Sequence, residues 1–157
     1  MAVRKPPDFD LHPISFSQAD ASGFFRAMCY HVTDGDTADF LIDMGFYNYS
    51  YISLRFLGID TPETRGTSGV ERDLALAAMA RVEELILDQP VLIRTYKERT
   101  SFGRFLGEIW FYSDEDFGEG VTPLIIPVED GLNIQVIPLI QLMLVEGFDK
   151  SDLEEPA

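Results

Sequence analysis

One clear helical stretch stands between two sets of strand-like runs, and this order of elements restricts the fold more than any other feature of the chain. In residues 70–87, Leu74, Ala78, Val82 and Leu85 recur at helical spacing. Ala75, Ala77 and Ala80 favour the helical state, and Asp88, Gln89 and Pro90 end it. Upstream, residues 24–32 and 38–44 read as strands, with Gly45 near a hairpin turn. Residues 49–59 carry the strongest β pattern: Ile52, Leu54 and Phe56 alternate with Tyr51, Ser53 and Arg55, and Gly58 interrupts it as a bulge would. Downstream, residues 91–96 and 105–112 read as a strand pair connected by residues 97–104. Residues 113–120 form an acidic, glycine-containing loop, and residues 121–136 are apolar without a decisive period. Residues 138–146 read as a short helix with Pro138 in its first turn and Gly147 as its stop. Strands, one helix, two strands and a terminal helix predict a compact α+β domain built on a small barrel.

At 157 residues the chain has the size of one domain and can bury a core without covalent staples. Cys29 is its sole cysteine, so no disulfide can form within the chain. The thiol reads as a small buried hydrophobe rather than a nucleophile. No run approaches the stretch of about 18 apolar residues that a membrane helix needs. Residues 1–13 are polar and proline-bearing and lack an apolar h-region, so no signal peptide and no membrane association are expected. The default location is then the cytoplasm, with a secreted mature form as the other option. The net charge of −15 opposes a nucleic-acid substrate, because phosphate backbones attract basic surfaces. The excess is uneven. Residues 1–110 carry 11 basic and 16 acidic side chains, a net of −5, whereas residues 111–157 carry 1 basic and 11 acidic, a net of −10. Residues 91–106 hold Arg94, Lys97, Arg99 and Arg104 against Glu98 alone, and local fields decide where a phosphate docks.

Four carboxylates fall at strand exits: Asp34, Asp36, Asp60 and Glu63. Carboxylates in such places are exposed enough to ionise and are held by rigid backbone. Oxygen ligands grouped without His or Cys nearby favour a hard cation such as Ca²⁺ or Mg²⁺. Arg55 precedes Asp60 on the third strand, and Arg104 follows Gly103. The guanidinium fork matches phosphate oxygens in a bidentate way that lysine cannot. A cation with two arginines suits an anionic phosphoryl transition state. Arg55 and Asp60 are five positions apart, so strand parity alone puts them on opposite faces. They converge only if the chain bulges or turns at Gly58, and that bend is expected.

Plainer readings stand beside these. Asp34–Gly35–Asp36–Thr37 by itself is a solvated turn, Arg55 alone pairs with a strand neighbour, and Arg104 alone is an exposed hairpin residue. His12 and His31 have no ligand spacing to another His or Cys, and Trp110 and Phe111 read as core aromatics. Tyr47, Tyr49 and Tyr51 recur at period two, so one strand face would show three tyrosines, either packed on the barrel or open to nucleobases.

Taken in order, Asp34–Gly35–Asp36–Thr37, then Arg55–Phe56–Leu57–Gly58–Ile59–Asp60–Thr61–Pro62–Glu63–Thr64, then Gly103–Arg104, resemble the staphylococcal nuclease (thermonuclease) family in sequence and spacing. The similarity covers residues 24–112 well and the helix near 138–148 more loosely. It implies an OB-fold-like five-stranded β-barrel with two or so packed helices over residues 23–148, after an N-terminal arm of residues 1–22 and before an acidic tail of residues 149–157. Residues 113–137 would be an insertion. The resemblance further implies Asp36, Asp60 and the backbone carbonyl of Thr61 as ligands of Ca²⁺, with Mg²⁺ second. Glu63 would orient or deprotonate the attacking water, and Arg55 and Arg104 would clamp the scissile phosphate. Asp34 and Thr37 would support the ligands from behind, and Arg65, Phe102 and Tyr51 are candidate substrate contacts. The implied protein is a monomer that hydrolyses DNA, RNA or both by in-line attack of water, with the 5′ oxygen leaving and a 3′-phosphate remaining.

The chain departs from the family in places. The lysine–tyrosine pair before Gly–Arg is Ser101–Phe102 here, and Phe102 can stack but cannot donate a hydrogen bond. The loop after Glu63, lysine-rich in the family, keeps only Arg65 before Gly69. The chain ends soon after Phe148, where the family continues into another helix, so part of the substrate wall is expected to be missing or replaced. The competing expectation is a catalytically weak or inactive nucleic-acid or protein-binding module of the same fold. The net charge and the lost lysine–tyrosine pair favour it, and the joint presence of Asp36, Asp60, Glu63, Arg55 and Arg104 disfavours it. A third is a calcium-stabilised interaction domain that binds no nucleic acid.

Overall fold

The computed structural model describes residues 24–99, 104–127 and 131–153. The expected arm of residues 1–22, Phe102 and residues 154–157 of the acidic tail lie outside the described residues. Three strands, β1 (Phe24–Asp34), β2 (Thr37–Asp43) and β3 (Tyr49–Phe56), form an antiparallel meander. Helix α1 (Gly69–Ile86) follows, then β4 (Pro90–Arg99), β5 (Phe105–Tyr112), β6 (Leu124–Pro127), β7 (Asn133–Pro138) and helix α2 (Leu139–Val145). The strands run in the order β3-β2-β1-β4-β5, and β5 returns to β3 in parallel through Leu54↔Phe105, Arg55↔Leu106 and Phe56↔Gly107. This return closes a five-stranded barrel of the OB type, which removes the open edges of those strands. With helices α1 and α2 the domain is the α+β architecture expected from the sequence. No helix among the described residues is long and apolar enough to cross a membrane.

Alternation along each strand sends one set of side chains inward. Ala27, Cys29, Ala38, Phe40, Leu54 and Phe56 are all buried in the main core. Helix α1 covers one end of the barrel with Ala75, Ala78, Val82 and Ile86. Leu74 and Leu85, expected on that face, are only partly buried.

Beyond the barrel, Trp110, Phe111 and Tyr112 of β5 pair with β7, and β6 lies outside it. Leu92, Trp110, Ile126 and Val136 make a second, smaller apolar cluster, while Ile93, Phe111 and Ile137 point into the main core. Adjacent residues of β4, β5 and β7 are therefore buried on opposite faces, whereas most of the described residues in 121–135 are exposed or half-buried. Helix α2 ends in a left-handed Gly147 (φ 85°), with Gly147 N–H donating to the Leu144 carbonyl at 3.2 Å and Phe148 N–H to the Met143 carbonyl at 3.1 Å. That pattern is a Schellman cap. It aims the chain back toward the end of β3, where the first residues of the expected acidic tail form a short 3-10 turn, Lys150–Leu153.

Candidate functional site

The turn between β1 and β2 is not solvated. Asp36 is 7% exposed and Thr37 2%. The turn lies under helix α1, and a Cβ added to Gly35 would sit 2.5 Å from the Ala78 Cβ and 3.0 Å from the Thr61 methyl. Burial of Asp36 is matched by partners. Its Oδ1 accepts the Thr37 hydroxyl at 3.0 Å, and its Oδ2 accepts the Thr61 N–H at 2.9 Å and meets Arg55 Nη1 at 3.2 Å. Burial pushes the Asp36 carboxyl above the usual carboxylate range. Arg55, the Thr61 N–H and the Thr37 hydroxyl pull against the shift, and nearby Asp34 adds to it.

The ladder of β3 ends at Phe56, and Leu57 N–H makes a bond to the Gly107 carbonyl at 2.9 Å. Gly58 then takes φ 90°, a conformation that side-chain-bearing residues rarely adopt. The expected change of direction is present, as a left-handed turn after the strand rather than a bulge within it. It brings Asp60 back under Arg55, whose Nη2 lies 3.3 Å from Asp60 Oδ1. Arg55 Nη1 also donates to the carbonyls of Ile59 at 2.8 Å, Phe56 at 3.2 Å and Asp36 at 3.3 Å. The main chain of Asp60 is held by the C-terminal turn: its N–H donates to Asp149 Oδ1 at 2.8 Å, and its carbonyl accepts the Lys150 N–H at 2.7 Å.

Arg104 enters from just before β5 and donates from Nη1 to the Thr37 hydroxyl oxygen at 3.1 Å. Thr37 thereby links Arg104 to Asp36. The two arginines and the two aspartates form one connected set: Arg104, Thr37, Asp36, Arg55, Asp60.

The other residues singled out from the sequence are placed differently. Asp34 Oδ1 accepts the N–H and hydroxyl of Thr64, at 3.1 and 2.9 Å, and so ties the loop after Asp60 to the β1–β2 turn. Glu63 and Arg65 are exposed. No hydrogen bond or ion pair among the described residues holds the Glu63 carboxylate, although its carbonyl accepts the Thr67 hydroxyl at 2.7 Å. The four carboxylates therefore do not share one focus; Asp36 and Asp60 do. Thr61 is 1% exposed. Tyr51 is 73% exposed and meets Tyr30 edge-on at 5.4 Å, so it does not pack in the barrel. Tyr47 sits in the hairpin turn with φ 58°, which reduces the expected three-tyrosine face to Tyr49 and Tyr51. Sequence reasoning missed Arg72, which braces the loop through the Thr64 carbonyl at 2.6 Å, and Asp149.

Residues 53–122 match the family described as staphylococcal nuclease homologue. Over that stretch the chain is similar to staphylococcal nuclease homologues. The matched stretch contains Arg55, Asp60, Thr61, Glu63 and Arg104. The Asp34–Thr37 turn precedes it and is joined to it by the hydrogen bonds above. Protein ParB of Escherichia coli is 31% identical over 85 residues, which are 54% of this chain and 41% of that protein. The chain thus spans less than half the length of that relative.

Arg55, Asp60 and Asp149 border a cavity of about 390 Å³ whose walls are otherwise mainly apolar, including Leu57, Ile59 and Leu106. Among the described residues no three Asp, Glu, His or Cys side chains are gathered as a ready-made cation site. Asp36 and Asp60 nevertheless approach one guanidinium from two sides, and their donors are all oxygen. Such a pair fits a hard cation that shares its coordination with water and a phosphate, not a cage made by protein alone.

Proposed function

We propose that this nuclease-like domain hydrolyses phosphodiester bonds of DNA and RNA in a reaction that depends on a divalent cation, Ca²⁺ in the first place. One observation carries the reading: Arg55 of β3, Arg104 from just before β5 and two aspartates from two loops are tied together through Asp36 and Thr37. Asp36, Asp60 and the Thr61 carbonyl would hold the cation, which when bound draws charge from a phosphate oxygen. Arg55 and Arg104 donate to the non-bridging oxygens, where negative charge grows in the transition state. Glu63, exposed and with its carboxylate unengaged among the described residues, accepts a proton from water as the water oxygen bonds to phosphorus. The bond from phosphorus to the 5′ oxygen breaks, that oxygen takes up a proton, and the water oxygen stays on the 3′-phosphate. The match over residues 53–122 supports a nuclease-type chemistry.

A second reading, a binding module of the same fold without turnover, is favoured by the net charge of −15. The two separate in one experiment. Single-stranded DNA and RNA are incubated with the protein in Ca²⁺, in Mg²⁺ and in EDTA, and product ends are mapped. Cation-dependent cleavage to 3′-phosphate ends is expected. A folded protein that binds the strands and cuts neither in any cation supports the module and overturns the enzyme.

A further inference from the structure

We infer that Asp149 is a positioning residue for Asp60, and that the C-terminal turn fixes this carboxylate for cation binding. The inference rests on the proposed function. Asp60 follows the Gly58 turn, past the end of the β3 ladder, so no neighbouring strand supplies partners for its main chain. A segment 89 residues away supplies both. Asp149 Oδ1 accepts the Asp60 N–H at 2.8 Å, and Lys150 N–H donates to the Asp60 carbonyl at 2.7 Å. The turn is itself braced. Asp149 Oδ2 accepts the Ser151 hydroxyl at 2.6 Å and the Ser151 N–H at 3.0 Å, and Asp149 N–H donates to Asp152 Oδ2 at 3.1 Å.

The Asp60 side chain is 60% exposed and otherwise meets only Arg55 Nη2 at 3.3 Å and Lys150 Nζ at 3.8 Å among the described residues. Both of those partners are cations that a bound metal ion would oppose. Once they yield, the main-chain clamp is what keeps Asp60 in place beside the Arg55–Asp36 pair. Groups that orient a ligand from behind commonly set metal affinity by about 10–100-fold. The Schellman cap at Gly147 delivers the chain at the angle that the clamp needs, so the end of helix α2 and the exit of β3 act as one unit.

The test uses the full chain and Ca²⁺ alone, without substrate. Calorimetry measures Ca²⁺ affinity, amide hydrogen exchange follows the Asp60 N–H, and thermal melting checks the fold. Asp149→Ala should weaken Ca²⁺ binding about tenfold and speed exchange at Asp60. Asp149→Asn keeps an acceptor oxygen and should recover part of both. Ser151→Ala, which loosens Asp149 without removing it, should give a smaller loss of the same kind. A folded Asp149→Ala protein with wild-type affinity and wild-type exchange at Asp60 overturns the inference and leaves the proposed function standing. If Asp149→Ala does not fold, wild-type affinity and exchange in a folded Ser151→Ala protein overturn it instead. A wild-type protein that binds no Ca²⁺ removes the Ca²⁺ reading, and this inference with it.

Discussion

Arg55 Nη1 donates to the main-chain carbonyl of Ile59 at 2.8 Å, so the guanidinium helps to build the wall that it would serve. It also bonds the carbonyls of Asp36 and Phe56 and two carboxylates, whereas Arg104 reaches the site through the Thr37 hydroxyl. The two arginines should respond differently to removal. Arg104→Ala is expected to lower turnover by at least about 10²-fold. Arg55→Ala should lose at least as much rate and also melt earlier, because three buried or half-buried carbonyls lose a donor. Turnover and melting measured on the same preparations separate the cases, and near-normal turnover by Arg104→Ala would remove it from the mechanism.

Glu63 offers the cleanest separation of chemistry from fold. Its carboxylate is exposed and has no partner among the described residues, so Glu63→Gln should melt like the wild type. It should keep its cation affinity and lose turnover by about 10²–10⁴-fold, the usual worth of a positioned acid or base. Equal rates for the two proteins would exclude Glu63 as the proton acceptor.

Gly35 is required by packing against helix α1. A Cβ there would stand 2.5 Å from the Ala78 Cβ, far inside contact distance. Gly35→Ala should destabilise the protein by about 1–3 kcal/mol, the usual range for overpacking. Ala78→Gly in the same chain removes the opposing methyl and should return part of that loss, less about 1 kcal/mol for glycine inside a helix. Denaturant titration measures both, and additive losses in the double variant would contradict the clash.

Burial pushes the Cys29 thiol up to about 12, with a hydrogen bond to the His31 main chain pulling the other way. In the unfolded chain the thiol ionises near 9.0. The stability from this group is therefore complete below pH 9.0 and is lost as pH rises through about 12. Cys29→Ala lacks this alkaline component, so its melting temperature should fall less steeply above pH 9.0. The native thiol should also resist a disulfide reagent at neutral pH and react once the protein is unfolded. Rapid labelling of the native protein would contradict the burial.

Much of this architecture is legible in the chain itself, for definite reasons. Helix α1 and strand β5 lie where periodicity puts them, because each presents a regular apolar pattern to the core. The bend at Gly58 could be foreseen because Arg55 and Asp60 cannot otherwise meet. Val136 and Ile137 defeat the pattern, since adjacent residues enter different apolar clusters and both sides of β7 are covered. The burial of Asp36 was hidden because its partners, Thr61 and Arg55, are brought in by tertiary structure. Asp149 carried only a local hint, an acid two residues before Ser151 after a helix stop, and nothing nearby pointed to Asp60.

The barrel is closed by three residue pairs between β3 and β5, fewer than at any other seam of its wall, and Arg55↔Leu106 is the middle pair. Gly107 permits the approach: a Cβ there would lie 2.9 Å from both a Leu54 methyl and the Arg94 carbonyl. Short ladders breathe before long ones. An opening confined to this seam would carry Arg55 away from Arg104 while the other strands and helix α1 stay in place. Heat should therefore silence such a molecule before it melts, and cooling should restore it without refolding.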